Sequence, residues 1–490
     1  MHQKYVTFTG RLVMVGFGAI GQGVLPLLLR HIHIRPEQIV IITADEQGLR
    51  EAQRYGVRHD VTPLTRDNYR SLLEPLLRAG DFLLHLAVDV SSVAMISYCK
   101  EKGALYLDIG IEHWAGHYND PAATLSTRTN YHLREEALAL RGGNGPTAIL
   151  THGANPGWVS HFVKQALLDL AKDGGLMAQP QDRTDWACLA RDLGVKVIQV
   201  SERDWQTAQP RRVPGEFVNT WSVDGLINES LQPAELGWGS HEKCLPPDGL
   251  QHGYGPESAI YLSSPGAITK VRTWTPIGGP LQSHLITHGE SISLADYLSV
   301  GAGASVSYRP TVYYAYHPCD DTICSLHELV GRELHPQSAQ RVLRDEIVDG
   351  IDELGVFIMG AARGAYWYGS RLSTEETRRL APYNSATTLQ VSAGAMAGVI
   401  WAMKNPARGI VEPEDLPFEQ VIALCQPYLG EVVGVYTDWT PLDGRSSLFP
   451  EDVDDTDPWQ FGNFRIGGPA AGVAATVRQS EGAAKCTVCT

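Results

Sequence analysis

The chain contains no run of eighteen consecutive apolar residues, so no membrane span is expected. Its first residues, Met1-His-Gln-Lys-Tyr5, lack the apolar stretch of a secretory leader. Positive charge is in short supply: 40 Lys and Arg stand against 55 Asp and Glu, a formal net charge of −15 at pH 7. That balance argues against nucleic acid as a partner and suits a cationic ligand. The eight cysteines are scattered, at 99, 188, 244, 319, 324, 425, 486 and 489. Their spacing forms no disulfide framework, and reduced thiols in a cytoplasmic protein are the expectation. Cys486-Thr-Val-Cys489 is a C-x-x-C pair with no second ligand pair nearby, so no metal site is assigned to it. His327-Glu328 lacks the second histidine of H-E-x-x-H, which removes support for a metalloprotease.

What is present near the start is a short apolar strand that breaks into glycine: Leu12-Val-Met-Val15, then Gly16-Phe-Gly18-Ala19-Ile20-Gly21. Gly16, Gly18 and Gly21 satisfy the G-x-G-x-x-G spacing, and an apolar helix follows. The first glycine permits a tight turn, the second admits a pyrophosphate, and the third lets helix and strand pack closely. The helix N-terminus then turns its positive dipole end to the phosphates. Asp45 closes the next apolar run, Ile39 to Asp45, where a carboxylate accepts from ribose hydroxyls and repels a 2′-phosphate. NAD is favoured over NADP.

Two regimes follow along the 490 residues. Up to about 155, strands alternate with helices, as in a Rossmann-type doubly wound parallel sheet. From 156 to 384, strand-like runs separated by Gly and Pro predict a second α+β domain, with helices at Ile323–Leu334 and Gln340–Val348. Ser385 to Lys404 reads as a long small-residue helix, and the segment 385–470 is expected to return to the first domain. Residues 471–490 form a tail.

Ligands of open α/β sheets lie beyond the carboxyl ends of strands. Three such ends carry polar groups: His85-Leu-Ala87-Val88-Asp89, Asp108-Ile-Gly-Ile-Glu112, and Thr151-His-Gly153-Ala154-Asn155-Pro156-Gly157. Asp89 is either an N-cap or a ligand group, Glu112 either a loop acid or a ligand group, and Asn155 either a turn former or a site residue. The stretch 202–242 is dense in acids and indoles: Glu202, Trp205, Glu216, Trp221, Glu229, Glu235, Trp238 and Glu242. Carboxylates hold ammonium groups, and indole faces attract organic cations. His284 and His288 are possible proton carriers near neutral pH.

These motifs, with Ser201-Glu-Arg-Asp-Trp205, Glu216-Phe-Val-Asn-Thr-Trp221 and Pro233-Ala-Glu-Leu-Gly-Trp238-Gly-Ser-His241, closely resemble bacterial homospermidine synthases to about residue 465. More distantly the architecture resembles the saccharopine dehydrogenase group. The resemblance implies a homodimeric transferase that joins two putrescines, or spermidine and putrescine, through imine intermediates. NAD would serve as a recycled hydride store. It further implies a cation–π role for Trp221 and ammonium or proton-transfer roles for Glu202 and Glu229. Asp89, Glu112 and Asn155 would orient amines, and His288 would relay protons. Gly16, Gly18, Ala19, Ile20, Gly21, Asp45, Ala87, Val88, Asp108, Thr151, Gly153, Ala154, Asn155 and Pro156 would surround the cofactor. For a distal ammonium partner, spacing does not choose between Asp352 and Glu353. Two other readings stay open: an amine or amino-acid dehydrogenase with net NADH production, and a non-catalytic redox-sensing module.

Overall fold

The computed structural model describes residues 2–118, 120–445, 451 and 453–467; the Cys486/Cys489 pair and the tail 471–490 lie outside them. Short, mostly apolar runs, with the polar edge strand Arg58–Val61 beside them, make a seven-stranded, all-parallel sheet. Its strands are β1 (Leu12–Val15), β2 (Ile39–Thr43), β3 (Arg58–Val61), β4 (Phe82–His85), β5 (Leu105–Asp108) and β6 (Ala148–Ile149), joined by Ile410–Val411. The order is Ile410–Val411, β6, β5, β4, β1, β2, β3. The helices α1 (Ala19–His31), α2 (Ser92–Lys102) and α3 (Asn130–Ala139) belong to this layer system. The chain leaves β1 toward β2 and later returns to β4 on its other side. This order reversal opens a crevice at the carboxyl ends of β1 and β4.

The second domain is an eleven-stranded mixed sheet. The helix α4 (Trp158–Asp173) leads into it and packs on two of its strands. The sheet contains β7 (Val197–Asp204), β8 (Pro233–Gly237), β9 (Ala259–Pro265), β10 (Lys270–Thr275), β11 (Gly279–Ile286), β12 (Thr311–His317), β13 (Ile351–Met359), β14 (Ala365–Ser373) and β15 (Glu431–Thr437). β7 lies at the centre, parallel to β12 and antiparallel to β13. Every residue of β7 is buried, Glu202 and Asp204 included. Burying charged side chains along a central strand carries a large desolvation cost, which marks this strand for function. The helices α5 (Val223–Leu231) and α6 (Gly289–Tyr297) follow β-segments that end near the crevice.

The segment 385–470 divides between the two sheets rather than returning as a whole. The helix α7 (Ala386–Lys404) packs on α1 and β5, and Ile410–Val411 extends the parallel sheet. β15 and the Arg465–Ile466 strand instead join the mixed sheet. α7 is long and apolar enough to cross a membrane by length and composition, and 89% of that window is buried inside the protein. Its glycines allow close seating: a Cβ on Gly394 would lie 1.8 Å from the Gly153 carbonyl oxygen. The helix expected over Gln340–Val348 does not form. Strands Ala339–Val342 and Ile347–Asp349 stand there instead, the first paired in parallel with Glu216–Asn219. Partner strands and ion pairs override local helix propensity at this place.

Candidate active site

The two sheets face one another across a cavity of about 630 Å³. Gly16, Gly18 and Asp45 line it from the parallel sheet, and Glu202, Trp221 and His288 from the mixed sheet. The dinucleotide motif and the acid-and-indole motif therefore share one chamber.

The Gly-rich loop has the geometry its sequence requires. Gly16 has φ +91°, and a Cβ there would come within 2.7 Å of the Ala87 amide nitrogen. Nothing stands within 4 Å of the Cβ position of Gly18, which leaves room for a bulky anion. A Cβ on Gly21 would meet the Gly16 carbonyl oxygen at 3.0 Å, so Gly21 packs helix on strand rather than lining the cavity. No side chain caps α1 and no acid occupies its first turn, so its N-terminal amides are free of internal competitors. Ala19 and Ile20 line the same wall, and Asp45 is exposed at the end of β2. These residues fit a pyrophosphate and a ribose diol.

At the other strand ends, Ala87, Val88, Asp89, Thr151, Ala154, Asn155 and Pro156 line the cavity, whereas Asp108 and Gly153 do not. Asp108 is fully buried beneath the 151–157 loop. Its carboxylate accepts from the Thr151 amide at 2.5 Å and the Tyr106 hydroxyl at 2.8 Å, and burial raises its pKa to about 6. It fastens the loop from below. Gly153 donates its N–H to the Pro156 carbonyl at 2.7 Å and closes the loop on itself. Thr151 (φ +54°) and Asp89 (φ +62°) both hold left-handed backbone that non-glycine residues seldom adopt. Ser91, not Asp89, caps α2.

From β7, Glu202 reaches the cavity with only 1% exposure. The Tyr314 hydroxyl donates to one of its oxygens at 2.6 Å, and the other oxygen has no partner. Burial pushes the Glu202 carboxyl up to about 8, against the opposing pull of the Tyr314 hydrogen bond. Asp204 and Asp352 sit behind it on neighbouring strands, in register with each other, and burial raises both. Thr220 and Gln206 donate to Asp204, and Thr387 donates to Asp352. Asp352 does not line the cavity. The Trp221 indole is half-buried at the cavity wall, and its N–H donates to the Tyr316 hydroxyl at 3.2 Å. Gly225 makes room for the ring: a Cβ there would lie 3.0 Å from Trp221 Cζ3.

His288 is held between acids. Its Nε2 lies 3.2 Å from Glu229 and its Nδ1 3.3 Å from Glu290, with the Asn155 amide also 3.3 Å from Nδ1. Burial alone would lower its pKa, but Glu290 and then Glu229 outweigh burial and raise it to about 10. The ring is therefore an imidazolium at neutral pH. Glu112 and Asp89 line the cavity beside Asp224 in the first turn of α5. Burial lifts Asp89, with Asp224 adding repulsion, and burial together with Asp89 and Glu229 lifts Glu112 well above the carboxylate range. An acid-rich chamber with raised carboxyl pKa values is built to receive cations; among the described lining residues Arg341 alone is a lysine or arginine, and it is paired with Glu216 and Glu346.

Known proteins agree with this geometry. The saccharopine dehydrogenase NADP binding domain model matches residues 12–149, and the saccharopine dehydrogenase C-terminal domain model matches 153–437. A homospermidine synthase of Blastochloris viridis is 52% identical over 471 residues, 94% of this chain and 98% of its own. The chain belongs to the homospermidine synthase family. A second member, from Mesorhizobium japonicum, is 46% identical over 472 residues, 94% of this chain and 97% of its own. The crystal structure of the homospermidine synthase of Legionella pneumophila in complex with NAD superposes with a TM-score of 0.89 at 49% identity. It covers 94% of this chain and 99% of that one.

In this family member several residues singled out in the sequence serve the scaffold. His284 is buried in β11 against Lys270, away from the cavity. Glu216 forms a bidentate pair with Arg341 at 2.7 and 3.0 Å. Glu235 accepts the amides of Asn130 and Tyr131 and the Thr287 hydroxyl, tying the mixed sheet to the start of α3. Glu242 accepts from Thr311 and the Phe461 amide, and the Trp205 indole donates to Glu353. Trp238 packs against a core cluster of the mixed sheet. Sequence reasoning passed over Tyr314, Asp224 and Glu290. The alternation Tyr314/Tyr316 on one face of β12 was the available signal for the first.

Proposed function

We propose that this chain transfers an aminobutyl group from putrescine, or from spermidine, to putrescine. The products are homospermidine and ammonia, or homospermidine and 1,3-diaminopropane, and NAD is retained and recycled. The observation that carries the reading is the opening of Glu202 and Trp221 into the same cavity as the Gly16–Gly18 loop. When bound, the nicotinamide accepts a hydride from an amine carbon and later gives it back to an imine carbon. Asp45 at the end of β2 favours NAD over NADP, in line with the NAD of the Legionella relative, although the matching domain model is described by NADP.

The chain's own groups meet the other demands. An amine gives up hydride only when its nitrogen is neutral, so a base must take an ammonium proton. Glu202, with its carboxyl raised to about 8 and one oxygen unpartnered, is placed for that transfer. The Trp221 face gives an iminium negative potential without a nucleophile that would trap it. Glu229, beside His288, accepts an ammonium group, and the imidazolium can pass on a proton as cationic substrate arrives. Asp89, Glu112 and Asp224 draw diammonium ions inward. An imine must be kept from water, and the buried Glu202 and half-buried Trp221 place its site against the inner wall of the cavity. The balance is two putrescines to one homospermidine and one ammonia, with no net oxidation. A homodimer in the cytoplasm is part of the same proposal, carried over from the family resemblance alone.

The test supplies purified protein with putrescine and NAD far below the amine. Homospermidine and ammonia in equal yield, with no build-up of free NADH, are expected. Stoichiometric NADH with an aldehyde would instead establish the dehydrogenase reading.

A further inference from the structure

The nucleotide crevice of a parallel sheet ordinarily opens to solvent, and here the second domain reaches across it. The Ala339–Val342 strand lies apart from both large sheets, paired only with Glu216–Asn219. Gln340, Arg341 and Val342 line the same cavity as Gly18 and Ala19. Two anchors fix this short arm on its own domain. Arg341 is clamped by Glu216 and, at 2.9 Å, by Glu346, and the Leu343 amide donates to the Asn219 carbonyl at 2.7 Å.

A third anchor crosses to the other domain. The Arg344 guanidinium donates through Nη1 to Gln22 Oε1 at 2.6 Å. Gln22 is buried in the first turn of α1, and its Nε2 donates to the Phe17 carbonyl at 2.9 Å. Phe17 is the residue between the first two glycines of the phosphate loop. A continuous chain of hydrogen bonds therefore runs from the second domain, through one amide side chain, into the backbone that must hold the pyrophosphate. Glu51, in the helix Leu49–Arg54, adds a favourable charge beside Arg344.

We infer that residues 339–344 form a latch over the bound dinucleotide, with Arg344 the positioning residue that holds the phosphate loop closed through Gln22. The inference rests on the proposal that the dinucleotide stays bound between turnovers. A hydride lent and returned within one active site loses its value if the carrier departs while reduced, so a slow release rate is a functional requirement. Arg344 does not line the cavity. Its contribution is to the lifetime of the complex.

The experiment loads the full-length protein with radiolabelled NAD, dilutes it into unlabelled NAD and follows release by rapid filtration, for wild type, Arg344→Met and Arg344→Lys. A lost half-buried hydrogen bond from a charged donor predicts release faster by about tenfold in Arg344→Met, with a matching rise in the dissociation constant. Arg344→Lys falls between the two, since it retains charge without the planar fork. Lost turnover is carried by the KM for NAD and returns at saturating NAD. Far-UV circular dichroism confirms that each variant is folded. Release at the wild-type rate in folded Arg344→Met overturns the latch. So does a loss of turnover that saturating NAD does not restore, because that marks a general structural defect. If wild type itself exchanges NAD in every turnover, retention between turnovers and the latch both fall, whereas the transfer reaction falls only if putrescine yields NADH and aldehyde in place of homospermidine and ammonia.

Discussion

Tyr314 donates its hydroxyl hydrogen to Glu202 across 2.6 Å, joining two parallel neighbouring strands at the floor of the cavity. The bond occupies one carboxylate oxygen and leaves the other buried without a protein partner. A buried acid with one free oxygen is costly to the fold and useful to a cationic substrate.

Replacing Glu202 by Gln should lower turnover by about 10²- to 10⁴-fold while amine binding weakens less. In wild type, kcat/KM should rise with pH through a midpoint set by the carboxyl at about 8, and that limb should disappear from the residual activity of the variant. Steady-state rates across pH 6 to 9.5 check both outcomes.

The same carboxyl predicts a pH dependence of stability. Its folded-state pKa is raised from 4.5 to about 8, so the native state holds a proton that the unfolded chain releases. Stability is greatest below the unfolded value and is lost as pH rises through about 8. The melting temperature of amine-free protein should therefore fall from pH 6 to 9, and fall less in Glu202→Gln.

Trp221→Ala should reduce turnover by about ten- to thirtyfold through loss of the cation–π contribution, and Trp221→Phe should retain more. Equal losses in both variants would remove the indole argument. Product formation with putrescine as the sole amine provides the measurement.

His288 should remain protonated at pH 8 in the amine-free protein, titrating near 10 by NMR of the labelled imidazole. Glu229→Gln should move that titration downward, because one of the two flanking negative charges is gone. Putrescine should do the same, and calorimetry in buffers of different ionisation enthalpy should register proton release on binding.

Asp45→Ala should narrow the preference for NAD over NADP, since the exposed carboxylate at the end of β2 no longer opposes a 2′-phosphate. Dissociation constants for both dinucleotides, measured side by side, decide it.

The first 155 residues were legible because local signals agree there. Apolar runs of four or five residues, three glycines and one acid each had a separate reason to stand where they do. Asp108 shows the limit of that reading. Its place at a strand end suggested contact with cofactor, yet its side chain turns under the loop and bonds Thr151. In the second domain the period of the pattern placed Glu202 on a strand. No local signal told that Glu235, two strands away in the same sheet, would bond the first turn of α3 instead of a ligand. The helix expected over 340–348 failed because its side chains answer to partners far along the chain: Glu216 for Arg341 and Gln22 for Arg344. Such pairings, 125 and 322 positions apart, leave no periodic trace in a single sequence.

The parallel sheet is completed by residues 410 and 411, and the 151–157 loop rests on the helix 386–404. Most of the second domain is thus threaded between the opening and the closing pieces of the first, and only β15 and the Arg465–Ile466 strand follow the closing piece. During synthesis the nucleotide crevice cannot reach its final shape until more than four hundred residues have emerged from the ribosome. A nascent chain therefore builds its amine chamber before it can keep a hydride carrier, and truncation anywhere ahead of that last edge strand should yield a protein that folds in part and captures nothing.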